Sequence, residues 1–94
     1  MARAIWEGIV LAESDDIVEV DGYTYFPEEA VRWQHLKPSE KKSVCSWKGT
    51  ARYWDISVNG TVNTDAAWNY AEPKPAAQIV KGRVGFWHGV QIER

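Results

Sequence analysis

Two dipeptides, Asp21-Gly22 and Asn59-Gly60, restrict the fold of this chain more than any other feature of its sequence. Both residues of such a pair accept the positive φ of a two-residue hairpin turn, so each dipeptide predicts a reversal between antiparallel strands. The flanking runs support this, because they are short and rich in β-branched and aromatic residues. They are DIVEV and YTYFP around the first turn, and TARYWDISV and TVNTDAAWNY around the second.

The rest of the chain predicts further short strands and one short helix. RAIWEGIVLAES is expected to form a strand bent or bulged at Gly8, and GRVGFWHGVQIER a strand near the end. Residues 27–36, PEEAVRWQHL, predict the helix, because proline suits a first turn and two glutamates follow it. We therefore expect a mainly β fold: one small antiparallel β domain over residues 1–94, as a barrel or sandwich, with that helix.

Composition limits the classes of function. One cysteine excludes an internal disulfide and the cysteine-rich zinc sites, so we expect no metal and no cofactor. The net charge is −2 and the cations are scattered, which argues against nucleic acid as a partner. The densest cluster, Lys37, Lys41 and Lys42, is typical of a solvated loop. The N-terminal segment has no apolar run long enough for a signal peptide or membrane span, which predicts a cytoplasmic protein with no membrane partner.

The run SVCSWKGTARYWDI, residues 43–56, places a thiol and two cations among aromatic rings. Taken as one strand over residues 44–56, its alternation puts Lys48 and Arg52 on one face, where both could meet one anionic group. Periodicity alone favours a second interpretation, in which both cations stack on tryptophan rings. Cys45 is interpreted either as a small buried residue or as a nucleophile activated by Lys48 or His35.

These residues belong to a longer pattern. VCSWKGTARYW, followed by DAAWNYAEPKPAAQIVKGRVGFW, resembles the small bacterial domain family DUF427, which is also labelled nucleotidyltransferase-like. The residues that match its motifs are Cys45, Trp47, Lys48, Gly49, Ala51, Tyr53, Trp68, Tyr70, Pro73, Pro75, Gly82, Val84, Phe86 and Trp87. The chain departs from the pattern at Ser46 and Ala71, where the family usually has proline.

The resemblance implies a compact β fold, similar to the tent-like or Mss4-like small domains but without their zinc cysteines. It implies no established reaction, and it suggests that Cys45, Trp47, Lys48 and Tyr53 act together. Metal-assisted nucleotidyl transfer needs two carboxylates that converge on Mg²⁺ and a loop that holds phosphate. The sequence points to neither.

We expect a site that binds a small anionic molecule, because aromatic walls with a few convergent polar groups are the usual form of such sites. The residues expected to line it are Trp47, Lys48, Arg52, Tyr53, Asp65, Trp68 and Tyr70. Asp65 also has a structural interpretation, in which it satisfies a neighbouring backbone group or arginine.

Two alternatives to this site stay open. The first is a thiol-dependent enzyme with Cys45 as its catalytic nucleophile. The second is a non-catalytic protein-interaction module, which a placement of Lys48 and Arg52 on opposite faces would favour. The sequence leaves the oligomeric state undefined.

Overall fold

The computed structural model describes residues 1–94, the whole chain, as two antiparallel sheets packed against each other. The small sheet has the strand order β2-β1-β9, and the large sheet has the order β3-β4-β8-β7-β6-β5. The strands are β1 (Ala2–Trp6), β2 (Ile9–Ser14), β3 (Val18–Val20), β4 (Tyr23–Pro27), β5 (Leu36–Cys45), β6 (Gly49–Val58), β7 (Thr61–Asn69), β8 (Arg83–Phe86) and β9 (Gln91–Glu93). The mainly β fold class is confirmed, as a sandwich-like arrangement and not a closed barrel.

Both predicted hairpins are confirmed. Asp21-Gly22 joins β3 to β4, Asn59-Gly60 joins β6 to β7, and all four residues have positive φ. A third turn of this kind, Glu7-Gly8, joins β1 to β2. The strand expected to bend at Gly8 is therefore a hairpin, which sequence reasoning missed because Glu-Gly lacks the Asn or Asp typical of such turns.

The helix predicted over residues 27–36 is wrong. Glu28–Ala30 and Trp33–His35 each form a short 3₁₀ turn, and Val31, which lies between them, is buried and forms a β-bridge with Ala12. Pairing with a distant strand thus overrides the local preference for a helix. None of the helical segments of the chain has the length and hydrophobicity needed to span a lipid bilayer.

The C-terminal segment GRVGFWHGVQIER also differs from its prediction, because it forms two strands instead of one. β8 and β9 belong to different sheets. A turn separates them, in which His88 and Gly89 have positive φ and the amide of Val90 donates to the carbonyl of Trp87 at 3.2 Å. The chain thus crosses from the large sheet to the small sheet at this turn.

The large sheet is buried on both faces, by two different sets of residues. One face packs on the small sheet to form the inner core: Ala2, Ala4, Leu11, Ala12, Phe26, Val31, Ile56, Val58, Ala66, Ala67, Val84 and Phe86. The other face carries the aromatic cluster: Tyr25, Ala51, Tyr53, Trp68, Tyr70, Ala77 and Val80. A 3₁₀ segment after β7, Pro75–Val80, supplies Ala77 and Val80 to the aromatic cluster.

Candidate functional site

The stretch 43–56 is a hairpin and not one strand, so the expected single strand over residues 44–56 is wrong. β5 ends at Cys45, β6 begins at Gly49, and these two residues pair across the ladder. The three-residue loop Ser46–Lys48 joins the strands. Gly49 has a φ of 111°, and a Cβ there would lie 3.4 Å from the carbonyl oxygen of Glu72, so the position suits glycine.

Lys74 fixes this loop from the outside. Its backbone amide donates to the carbonyl of Lys48 at 2.9 Å, and its Nζ donates to the carbonyl of Ser46 at 2.8 Å. Two of the loop's three carbonyl groups are therefore held by one residue. These bonds restrain the backbone from which the Lys48 side chain extends.

Lys48 extends toward the aromatic cluster and is 6% exposed. Its Nζ lies 2.8 Å from the carboxylate of Asp21 in the β3–β4 turn. The same atom lies 5.2 Å from the ring centroid of Trp47 and 5.7 Å from that of Tyr70. Burial alone would lower the pKa of Lys48, but the hydrogen bond to Asp21 and the neighbouring Tyr25 and Tyr70 outweigh it and raise the pKa. The ammonium therefore keeps its charge inside the fold.

Cys45 is partly buried and packs against the edge of the aromatic cluster. Hydrogen bonds from the backbone amides of Trp47 and Lys48 lower the pKa of its thiol. Partial burial and the charge of Asp21 act in the opposite direction, and the Lys48 ammonium adds to the lowering. The loop Ser46–Lys48 thus favours the thiolate at a position that solvent can reach.

Tyr70 lies in the same cluster and is 6% exposed. Burial raises its pKa to about 12, although the positive charge of Lys48 acts to lower it. Tyr25 and Cys45 are negatively charged when deprotonated, and as neighbours of Tyr70 they act to raise its pKa further. The phenol is therefore protonated at neutral pH and can donate a hydrogen bond.

Trp68 and Tyr53 are also buried in the aromatic cluster, where their polar tips are bonded within the chain. Trp68 Nε1 donates to the hydroxyl of Tyr25 at 3.2 Å, and the hydroxyls of Tyr53 and Ser43 are 2.8 Å apart. Neither ring lines either of the two cavities of the protein. Trp47 differs, because it is 38% exposed at the tip of the hairpin.

Asp65 lies at a bulge of β7, with a φ of 56°. Its carboxylate accepts a hydrogen bond from Ser39 Oγ, its amide donates to the carboxylate of Asp55 at 2.9 Å, and its carbonyl accepts from Trp87 Nε1 at 2.6 Å. These contacts fit the interpretation in which Asp65 satisfies neighbouring groups. It lines neither cavity.

Arg52 lies on the opposite face of the large sheet from Lys48, because Tyr53 points into the aromatic cluster and successive residues of a strand alternate. Arg52 faces a surface cavity of about 360 Å³. The lining residues are Lys42, Thr50, Arg52, Ala71 and Glu72. Lys42 and Arg52 are direct cross-strand partners, and neither takes part in any of the six ion pairs of the structure.

A second cavity, of about 350 Å³, lies toward the other end of β5 and β6. His35, Asp55 and Ser57 all line it, yet no hydrogen bond joins their side chains, so they do not form a Ser-His-Asp relay. No group of three or more His, Cys, Asp or Glu side chains in the chain is placed to hold a metal ion.

Comparison with known protein families identifies the family of this chain. The model of a family described as a domain of unknown function, DUF427, matches residues 1–94. The chain belongs to the DUF427 family. The resemblance carried by the run from Cys45 to Tyr53 is thereby confirmed, while no curated protein matches the chain.

Sequence reasoning missed four residues that shape these sites in the DUF427 chain. Lys42, Thr50 and Glu72 line the cavity with Arg52, and Asp21 pairs with Lys48. Local patterns treat Lys42 as a solvated lysine and Asp21 as a turn residue. Cross-strand register brings Lys42 beside Arg52, and no local pattern carries that information.

Proposed function

We propose that this domain binds a small anionic molecule in the cavity between Lys42 and Arg52. The observation that carries the proposal is a cross-strand pair of cations that face one cavity without an ion-pair partner. A guanidinium binds a carboxylate or phosphate through two parallel hydrogen bonds, and a nearby ammonium adds a point charge. A cavity of about 360 Å³ lies in the size range of small-molecule sites.

Two further groups of the cavity narrow the ligand class. The hydroxyl of Thr50 can donate or accept a hydrogen bond, whereas the carboxylate of Glu72 only accepts. A bare polyanion is repelled by Glu72. A ligand that carries a hydroxyl or ammonium group beside one carboxylate or phosphate satisfies all four side chains.

Of the residues expected from the sequence to line a binding site, the proposed site contains only Arg52. Lys48 is a weaker partner for an anion, because Asp21 already neutralises it at 2.8 Å. The rings of Trp68 and Tyr70 lie on the other face of the sheet. The ligand is therefore held by charge and hydrogen bonds, without an aromatic wall.

The test is an NMR titration of the ¹⁵N-labelled domain with O-phosphoserine, citrate and inorganic phosphate. We expect shift changes at the amides of Lys42, Thr50 and Arg52, with tighter binding of O-phosphoserine, which carries an ammonium group, than of inorganic phosphate. The affinity should fall as salt is added. Arg52→Gln is expected to weaken binding about tenfold, because the bidentate contact is lost.

Arg32→Gln is the matched control, because Arg32 is exposed and lines neither cavity. It is expected to bind like the wild-type protein. Equal affinities of the two variants, or shift changes confined to other regions, would overturn the proposal.

A protein-interaction module is the second candidate function. It is favoured by the opposite placement of Lys48 and Arg52, and by two apolar residues exposed on one hairpin: Val44, 78% exposed, and Trp47. This candidate predicts that a protein co-purifies with the domain from its native host and that Val44→Ser releases it. The anion titration is then expected to stay unchanged, which separates the two functions.

A further inference from the structure

The second cavity, of about 350 Å³, is lined by two side chains of opposite charge that do not pair with each other. Lys37 of β5 and Asp55 of β6 are direct cross-strand partners, yet neither takes part in any of the six ion pairs of the structure. We infer that this cavity binds a small zwitterion, a free α-amino acid with an aliphatic side chain, between Lys37 and Asp55.

Strand register sets which face of the large sheet carries this cavity. Asp55 and Ser57 alternate with Ile56, which is buried in the inner core, so they face away from the small sheet. Lys37 lies on the same face as Asp55 because the two residues pair across the ladder. Arg52 is three residues before Asp55 and lies on the other face. The second cavity and the anion cavity are therefore on opposite faces of the sheet.

A bulge in β7 holds the Asp55 carboxylate in place. The register of β6 and β7 shifts between Trp54 and Ile56, and Asp65 lies in the bulged part of β7. The amide of Asp65 donates to Oδ1 of Asp55 at 2.9 Å. A carboxylate has about four acceptor positions, so one anchoring bond leaves the group able to accept further hydrogen bonds. Asp55 is thus a fixed negative charge that can still bind an ammonium group.

The 3₁₀ turn Trp33–His35 forms one side of the cavity and is anchored to the sheet. The ring of Trp33 packs edge-on against Trp54, with centroids 4.9 Å apart. Its Nε1 donates to a backbone carbonyl of the preceding turn at 2.9 Å. Gln34 and His35 line the cavity from this turn, so an amide and an imidazole lie close to the two charges.

The two charges together select a ligand that carries both signs. A simple anion is attracted by Lys37 but repelled by Asp55, and a simple cation meets the reverse arrangement. The carboxylate and ammonium groups of an α-amino acid are close together, and cross-strand side chains start from Cβ atoms about 4.5–5.5 Å apart. A zwitterion therefore forms a charge-assisted hydrogen bond with each residue and leaves neither charge uncompensated.

Val62 indicates that the amino acid has an aliphatic side chain. It pairs with Ser57 across β6 and β7, lines the cavity and is 58% exposed. Covering this apolar surface with another apolar group is favourable because water is released from both. We therefore expect leucine to bind more tightly than glycine.

The first test is an NMR titration of the ¹⁵N-labelled domain with leucine, glycine, N-acetyl-leucine and leucinamide. We expect leucine to shift the amides of Lys37, Asp55 and Ser57. It should bind about tenfold more tightly than either blocked compound, because each of these lacks one charge. N-acetyl-leucine also represents the carboxyl end of a peptide and leucinamide the amino end. Tighter binding of either one would show that the cavity takes a peptide end and would contradict the inference.

The second test exchanges the charge preference of the cavity. Asp55→Asn keeps an acceptor for the Asp65 amide, so we expect the variant to fold, to bind leucine about tenfold more weakly and to bind N-acetyl-leucine more tightly than the wild type. Lys37→Met should weaken leucine binding similarly and favour leucinamide. Lys81→Met is the matched control and should bind like the wild type, because Lys81 is exposed and lines neither cavity.

Three outcomes would overturn the inference. They are equal affinities for leucine and the blocked compounds, leucine-induced shifts confined to residues outside the cavity, and charge preferences that Asp55→Asn and Lys37→Met leave unchanged. A purely structural role of the two charges predicts altered stability without an exchange of preference. The result is independent of the anion site, and Arg52→Gln is expected to bind leucine like the wild-type protein.

Discussion

The two faces of the large sheet are buried by different chemistry. The inner core consists of alanines, branched aliphatic residues and the pair Phe26 and Phe86, with ring centroids 5.9 Å apart. The aromatic cluster consists mostly of tyrosine and tryptophan, whose polar tips reach Ser43, Tyr25 or the edge of the cluster. Such rings bury area with their bodies while their tips carry hydrogen bonds, so this face can hold a thiol and an ammonium that the inner core cannot.

Strand β6 links the two faces and explains where the cavities lie. Its first half buries Ala51 and Tyr53 in the aromatic cluster, and its second half buries Ile56 and Val58 in the inner core. The residues that alternate with these in each half are exposed or only partly buried. Thr50 and Arg52 of the first half line the first cavity, and Asp55 and Ser57 of the second half line the second cavity.

The largest effect is expected from a substitution in the inner core. Phe26 is fully buried, so Phe26→Ala should lower the free energy of unfolding by about 3–5 kcal/mol through lost burial and the cavity left behind. Urea denaturation followed by tryptophan fluorescence measures this. A loss below about 1 kcal/mol would show that the inner core does not hold the two sheets together.

A smaller effect is expected where the aromatic cluster rests on the sheet. A Cβ at Gly85 would lie 2.7 Å from Cζ2 and 2.9 Å from Cε2 of Trp68, whose ring is packed against Tyr25 and cannot withdraw. Gly85→Ala should therefore cost about 3 kcal/mol, the upper end for overpacking. The variant should also shift the fluorescence of Trp68. Stability equal to that of the wild type would mean that the cluster is loosely packed.

The smallest effect at neutral pH, and one that grows with pH, is expected at Tyr70. Its folded pKa of about 12 lies above the ordinary 10.0, so the unfolded chain loses this proton first and stability falls as pH rises from 10 to 12. Tyr70→Phe removes that loss, worth about 2 kcal/mol at pH 12. Near pH 7 the variant should differ little from the wild type.

Urea denaturation between pH 9 and 12 measures this difference, with Tyr23→Phe as the exposed control. The control should keep the alkaline decline of the wild-type protein. If the stability of Tyr70→Phe declines with pH as steeply as that of the wild-type protein, burial in the aromatic cluster does not raise the pKa of Tyr70.

The errors of sequence reasoning share one physical cause. Residues 44–56 have the composition of a strand, and residues 27–36 have that of a helix. In the fold, a loop of three residues interrupts the first, and the bridge from Val31 interrupts the second. Both interruptions depend on pairing with residues that are distant or across a turn, and local periodicity does not encode such pairing.

The sequence by itself determined the antiparallel β class, the turns at Asp21-Gly22 and Asn59-Gly60, and the family, because turn geometry and ordered motifs are local properties. Only the tertiary structure decided that Lys48 meets Asp21 while Arg52 meets Lys42. Those neighbours follow from strand register and from which face of the sheet each half-strand buries. Both are fixed by the packing of the whole domain, since a shift of one residue would exchange the faces.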